Sequence, residues 1–257
     1  MPPDPIRILI VEDNPGDVHL IKILLKDSPV MDSTLTRAAT KLEAFRILRE
    51  SEFDIILLDL NLPDSFGIGT CDAFLKEFPN VPLVVLTGVD DEVVGKGAVR
   101  MGAQDYLVKG QFTGHSFSRS IQFSIDRYKY NQQLKEGEER YRLICEGAHD
   151  LITLVDKDGN FKYVNASFER TLGYSKDQLI GMNLLDLICR EDLSGVPNWK
   201  SHRQVRFRLK ASGGEWMYVE GSSSSVNWRH DSYIISVWRD ITERVERDGY
   251  LRKEKTV

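Results

Sequence analysis

Apolar residues follow two different rhythms along the 257-residue chain. In the first half, short apolar runs alternate with stretches where apolar side chains return every three or four positions. Arg7–Val11 is a β-branched run, followed by Glu12, Asp13, Asn14, Pro15 and Gly16. Asn at a helix start with Pro just inside it is a capping signal. Val18, Ile21, Leu24 and Leu25 then recur at helical spacing. Leu35–Ala39 predicts an edge strand, and Leu42, Phe45, Ile47 and Leu48 a second helix. Ile55–Leu58 and Leu83–Leu86 are apolar throughout, as strands buried on both faces of a parallel sheet should be. Ala73, Phe74 and Phe78 mark a third helix closed by Pro79, Asp90–Met101 a fourth, and Tyr106–Val108 a fifth strand. The order (βα)5 predicts a doubly wound, flavodoxin-like α/β sheet, in which function collects at the carboxyl ends of the strands.

From Gly114 to Cys145 the pattern is helical with no strand, and Phe117, Ile121, Ile125 and Tyr128 define its packed face. The polar stretch NQQLKEGEER reads as a helical linker. Leu134, Tyr141 and Ile144 could extend a seam along it, but so few positions do not establish a coiled coil. The second rhythm then begins, with short strands of period two around small helices. Leu151–Val155 and Phe161–Val164 flank the turn Asp156-Lys157-Asp158-Gly159-Asn160 as a hairpin. Ala166–Leu172 and Lys176–Leu179 are short helices. Val205–Leu209, Glu215–Ser224 and Tyr233–Arg239 complete a five-stranded antiparallel α+β domain. The boundaries expected are 1–128 and 140–246 for two domains, 129–139 for the linker and 247–257 for a tail.

Composition narrows the function. With 28% charged and 41% hydrophobic residues the chain can bury a core. Its 34 Lys plus Arg against 39 Asp plus Glu give a net charge of −5 and no global case for binding nucleic acid. No apolar run approaches the roughly 18–20 residues of a membrane helix, and Met1 precedes Pro2, Pro3, Asp4 and Pro5 rather than a signal pattern. Cys71, Cys145 and Cys189 suggest neither a disulfide frame nor a zinc cluster. A cytoplasmic protein is expected. Residues 1–127 hold 13 basic against 19 acidic side chains, and the remainder 21 against 20. The acidic excess belongs to the first half.

Three of those acids fall where a site is expected. Glu12 and Asp13 end the first strand and Asp59 the third; if these strands are neighbours, three carboxylates converge. Like charges about 4 Å apart repel by roughly 4 kcal/mol at an effective dielectric near 20. A few-ligand site of hard oxygens suits Mg²⁺. Thr87 and Lys109 end the fourth and fifth strands. A cation, an ammonium and a hydroxyl around one carboxylate are the parts that stabilise a phosphoryl group in transfer.

The segments VEDNPGD, LLDLNLPDSFG, VVLTG and DYLVKG resemble the receiver domain of two-component response regulators over about residues 5–128. The resemblance implies Asp59 as phosphoacceptor from a partner histidine kinase. It implies Mg²⁺ held by Asp13, Asp59 and the backbone carbonyl of Asn61, with Glu12 acting through water. Thr87 and Lys109 would contact phosphoryl oxygens, and Thr87 with Tyr106 would form the switch. On its own, Tyr106 reads as a strand core residue. Where the family usually has a proline after the lysine, with a cis peptide, this chain has Gly110. Such a domain accepts phosphate and is not otherwise an enzyme, beyond self-phosphorylation and self-dephosphorylation.

Residues 140–246, with DGNFKYVN, LGY, the QLIG turn and the closing DIT, resemble a PAS domain. The resemblance implies a fold and leaves the ligand unknown. Leu184 stands where flavin photosensors of this family carry a reactive cysteine, which argues against adduct chemistry. His149, His202 and His230 read as surface histidines, which argues against haem, and Cys189 as a small buried side chain. Trp199, Trp216, Trp228 and Trp238 read as core or interface. Only 14 residues follow Glu243, too few for a helix-turn-helix module. The leading expectation is a phosphorylation switch acting on a downstream protein target, as transcription regulators of this layout do. Homodimers could form through the fourth-helix, fifth-strand, fifth-helix face, the linker or the PAS domain. Direct DNA contact through Arg203, Arg206, Arg208 and Lys210 or Arg244, Arg247, Arg252, Lys253 and Lys255 is the rival. The sensory front of a longer hybrid kinase is a third reading.

Overall fold

A computed structural model describes residues 5–26, 32–88, 92–193, 204–229 and 231–254. The chain divides after Lys135 into two compact units.

The first unit contains β1 (Ile6–Val11), α1 (Pro15–Lys26), β2 (Ser33–Ala38), α2 (Lys41–Glu50), β3 (Ile55–Asp59), β4 (Asn61–Leu62), β5 (Ser65–Phe66), α3 (Ile68–Glu77), β6 (Leu83–Thr87), α4 (Glu92–Met101), β7 (Asp105–Val108) and the start of α5 (Gly114–Gly147). Its main sheet is parallel with order β2-β1-β3-β6-β7. Burial on both faces explains the unbroken apolar runs. In β1 and β3, Ile8, Ile10, Ile55 and Leu57 face Ile21 and Leu25 of α1 and Phe117, Ile121 and Ile125 of α5. The alternate residues Leu9, Val11, Ile56 and Leu58 face Ala44, Phe74 and Ala98 of the other three helices. The chain order reverses between β1 and β3, and in open α/β sheets ligands bind outside the carboxyl ends of strands at such a reversal.

One element differs from the sequence expectation, and the expected helical linker is realised as part of one long helix. A minimal hairpin, β4 with β5, follows Asp59 directly, and Gly67 closes it at φ +67°. One helix, α5, runs unbroken through residues 129–139 to Gly147. Its first turns are anchored closely: a Cβ on Gly114 would lie 2.7 Å from the carbonyl oxygen of Leu24.

The second unit contains β8 (Leu151–Asp156), β9 (Phe161–Val164), α6 (Ala166–Leu172), α7 (Lys176–Leu179), β10 (Val205–Lys210), β11 (Trp216–Trp228), β12 (Asp231–Asp240) and α8 (Thr242–Glu254). Its sheet is antiparallel with order β10-β11-β12-β8-β9. Asn165 caps α6 and Gly173 ends it in the left-handed region, while Ser175 and Gln178 form a capping box on α7. Phe161, Phe168, Phe207 and Trp238 meet in edge-on and tilted contacts inside one core. Leu184 is buried in a 3₁₀ turn, Cys189 is buried, and His149 is exposed just before β8. Trp238 lies in the core, whereas Trp216 and Trp228 are exposed. β11 extends four residues beyond Ser224, and α8 carries helix into the stretch expected as a tail. Trp199, His202, Arg203, His230 and Lys255 lie outside the described residues. No helix among the described residues is long and apolar enough to cross a membrane.

Candidate functional site

Strand register assembles the site. Val11 sits opposite Leu58, so Glu12 and Asp13 leave β1 beside Asp59 at the end of β3. Asp59 pairs with Leu86, and Thr87 with Val108, which carries Lys109 to the same edge. Oxygen atoms of Glu12, Asp13 and Asp59 all lie within 4.8 Å of one another. Glu12 and Asp59 are buried and Asp13 is exposed. Short-range bonds hold the loops. The Asn14 amide donates to Glu12 at 3.1 Å, the Gly16 amide to the Asn14 side chain at 2.9 Å, and the Asn61 amide to Asp59 at 2.9 Å. Asn61 itself is exposed on β4.

The Lys109 ammonium donates to three carboxylates, at 2.5 Å to Asp59, 2.6 Å to Glu12 and 2.8 Å to Asp17. Thr87 Oγ1 is buried with no hydrogen-bond partner among the described residues. Tyr106 is half-buried on β7 opposite Val85, its ring against α4, where a Cβ on Gly95 would lie 2.5 Å from ring Cδ2. No peptide bond among the described residues is cis, so Lys109–Gly110 is trans. Gly110 has φ +80°, a conformation proline cannot take, and that accounts for glycine at this position.

The electrostatics are those of surplus acid. Burial pushes the Glu12 carboxyl up to about 7, the Asp59 charge adds to this, and the Lys109 hydrogen bond opposes it. Burial would lower Lys109, but its bonds to Asp17, Asp59 and Glu12 outweigh that and hold it firmly charged. One ammonium serves three carboxylates, and Asp13 adds a fourth beside two of them. Oxygen atoms 4.8 Å apart still repel by roughly 3 kcal/mol at an effective dielectric of 20. A small hard dication fits this donor set, and the unpartnered Thr87 hydroxyl leaves one donor for an anionic oxygen beside Asp59.

Glu12, Asp13, Asp59, Thr87 and Lys109 therefore meet at one edge, and Tyr106 lies two register positions from Thr87 on the neighbouring strand. Two contributors were not visible in the pattern. Asp17 reads as an acid in the first turn of α1, where it complements the helix dipole. Arg37 of β2 donates to the Glu12 carbonyl at 3.1 Å and the Asp13 carbonyl at 2.6 Å, fixing the backbone beneath both acids.

Each half of the chain matches a known family model. Residues 8–115 match the response regulator receiver domain and residues 149–243 the PAS domain. The chain belongs to the response regulators. The regulatory protein VanR of Enterococcus faecium is 30% identical over 133 residues, which are 52% of this chain and 55% of that protein. The uncharacterized transcriptional regulatory protein YhcZ of Bacillus subtilis is 36% identical over 143 residues, 51% of this chain and 67% of that protein. The sensor histidine kinase TmoS of Ectopseudomonas mendocina is 23% identical across 96% of this response regulator, yet the match spans only 29% of the kinase. This response regulator thus spans about half of VanR and under a third of TmoS. Its receiver carries the acidic pocket, and its PAS domain follows α5.

Proposed function

We propose that Asp59 accepts a phosphoryl group from the phosphohistidine of a partner histidine kinase. The observation that carries this reading is the pairing, around Asp59, of a charged ammonium at 2.5 Å with the buried Thr87 hydroxyl, which has no partner among the described residues. An Asp59 carboxylate oxygen attacks phosphorus, an O–P bond forms, and the P–N bond to the histidine breaks as its ring nitrogen leaves with the electron pair. Lys109 and Thr87 donate to the phosphoryl oxygens as negative charge accumulates there. Asp13, Asp59 and the Asn61 carbonyl would hold Mg²⁺, with Glu12 acting through water; bound, it supplies positive charge to the phosphoryl oxygens. Arg37 keeps the acidic loop in place. The remaining chain is a switch, with no enzymatic role beyond gaining and losing its own phosphate.

The output is a population shift. Phosphorylation favours one arrangement of Thr87 and Tyr106, and a downstream protein that binds the two states differently reads it. α5 begins behind this edge and continues to Gly147, which supports altered assembly of the PAS domain as the response. Control of transcription through protein contacts is the expected end point. The test is labelling with acetyl phosphate. The chain takes up phosphoryl with Mg²⁺, chelation with EDTA stops it, and Asp59→Asn takes up none. Labelling that survives either change overturns the assignment.

The near full-length alignment to TmoS favours a second reading, the sensory front of a larger kinase. The mass of the protein in its own cells separates the two. Direct DNA contact has less support: Arg206 is paired with Glu220, and Arg208 with Asp192 and Glu191. A salt-insensitive or absent mobility shift removes it.

A further inference from the structure

Lys109 carries three N–H donors, and all three are engaged by carboxylates. Two of these acids, Glu12 and Asp59, belong to the group whose oxygens converge as a metal site. Asp17 does not. It reaches the ammonium from the first turn of α1, after a loop tied down by the Asn14 and Gly16 amides. Its side chain is more exposed than those of Glu12 and Asp59, so it approaches Lys109 from the mouth of the pocket.

We infer that Asp17 is a positioning residue that holds the Lys109 ammonium over Asp59. The inference rests on the phosphoacceptor reading and deepens it. When Glu12 and Asp59 turn toward a cation and a phosphoryl group, Asp17 keeps its claim on Lys109. Fixing one of three tetrahedrally arranged donors limits rotation of the other two. One of them stays directed at the Asp59 oxygen, where the phosphoryl oxygens arrive. Without Asp17 the long lysine side chain samples other rotamers, and the donor is absent from the transition state much of the time. Asp17 touches neither substrate nor phosphorus, so it acts only through Lys109.

The test uses the full chain, acetyl phosphate and Mg²⁺, with two readouts. The first is the rate of phosphoryl uptake. Asp17→Asn is expected to slow it roughly tenfold or more, in the range set by misplaced catalytic groups, with the thermal unfolding midpoint held. The second is the ¹⁵N signal of the Lys109 ammonium, assigned by its loss in Lys109→Arg. Three carboxylate partners slow its proton exchange and keep it visible, and Asp17→Asn should broaden or shift it. A merely structural role for Asp17 would leave that signal in place. Uptake at the wild-type rate in Asp17→Asn overturns the inference, as does slower uptake with an unmoved Lys109 signal. If wild-type protein takes no phosphoryl group at all, the reading of Asp59 falls first and Asp17 with it.

Discussion

At the scale of single residues, the site is built from groups left deliberately discontented. Thr87 hides a hydroxyl without a partner among the described residues, and an unsatisfied buried polar group costs about 1–3 kcal/mol. Thr87→Val removes the hydroxyl at nearly constant volume. Urea unfolding of the unphosphorylated protein should show stability unchanged or raised by up to about 1 kcal/mol. The same variant should label at Asp59 more slowly, because one donor to the phosphoryl oxygens is gone, and lose any phosphorylation-dependent change in assembly. A clear loss of stability would mean Thr87 has a partner in solution. Asp59 and Glu12 were legible because strand ends in a parallel sheet point to one edge. Asp17 was not, because its partner is 92 positions away and its local role in the first helical turn already explains an acid there.

Elements explain what single residues do not. Helix α4 carries two interior glycines, Gly95 and Gly97, each about 1 kcal/mol poorer than alanine in a helix. At Gly95 the Tyr106 ring takes the space, its Cγ only 2.7 Å from where a Cβ would stand. Gly95→Ala should therefore destabilise the receiver by about 1–3 kcal/mol despite better helix propensity, and it should move the Tyr106 ring resonances. Stabilisation would show that the ring yields freely. The periodicity of α4 was readable, but its glycines acquire meaning only once β7 lies against them. The hairpin β4–β5 and the left-handed Gly110 escaped in the same way, as backbone choices without an apolar rhythm. The PAS strands were legible from alternation, except where β11 outruns it through a serine run.

The turn between β8 and β9 gives a pH prediction. Burial would raise the Asp156 carboxyl, but the Asn160 amide and side chain, Lys162 and the Asp158 amide outweigh it and bring it to about 2. A depressed carboxyl stabilises the fold above the ordinary carboxylate range and loses that contribution as pH falls through the folded value. Thermal midpoints should drop between about pH 4 and pH 2, and Asp156→Asn should lose less over that interval. Equal losses in both proteins would remove Asp156 from the account.

At the scale of the whole molecule, the opposing characters of the two halves make sense. The acidic excess of the first half includes a pocket where three carboxylates share one ammonium and Asp13 lies close by, while the nearly neutral second half ties Arg206, Arg208 and Arg239 to acids of its own. The two domains share one helix in sequence, so the signal we propose runs along α5 to whatever the PAS domain meets. Sedimentation with and without acetyl phosphate should therefore reveal a phosphorylation-dependent change in assembly; identical assembly would leave α5 as a tether only. Beneath all of this stands one claim, that Asp59 takes the phosphoryl group. Peptide mapping by tandem mass spectrometry after acetyl phosphate and Mg²⁺ treatment tests it directly. The account predicts phosphoryl on the peptide containing Asp59, localised to that residue; phosphoryl on any other residue with Asp59 unmodified would contradict it.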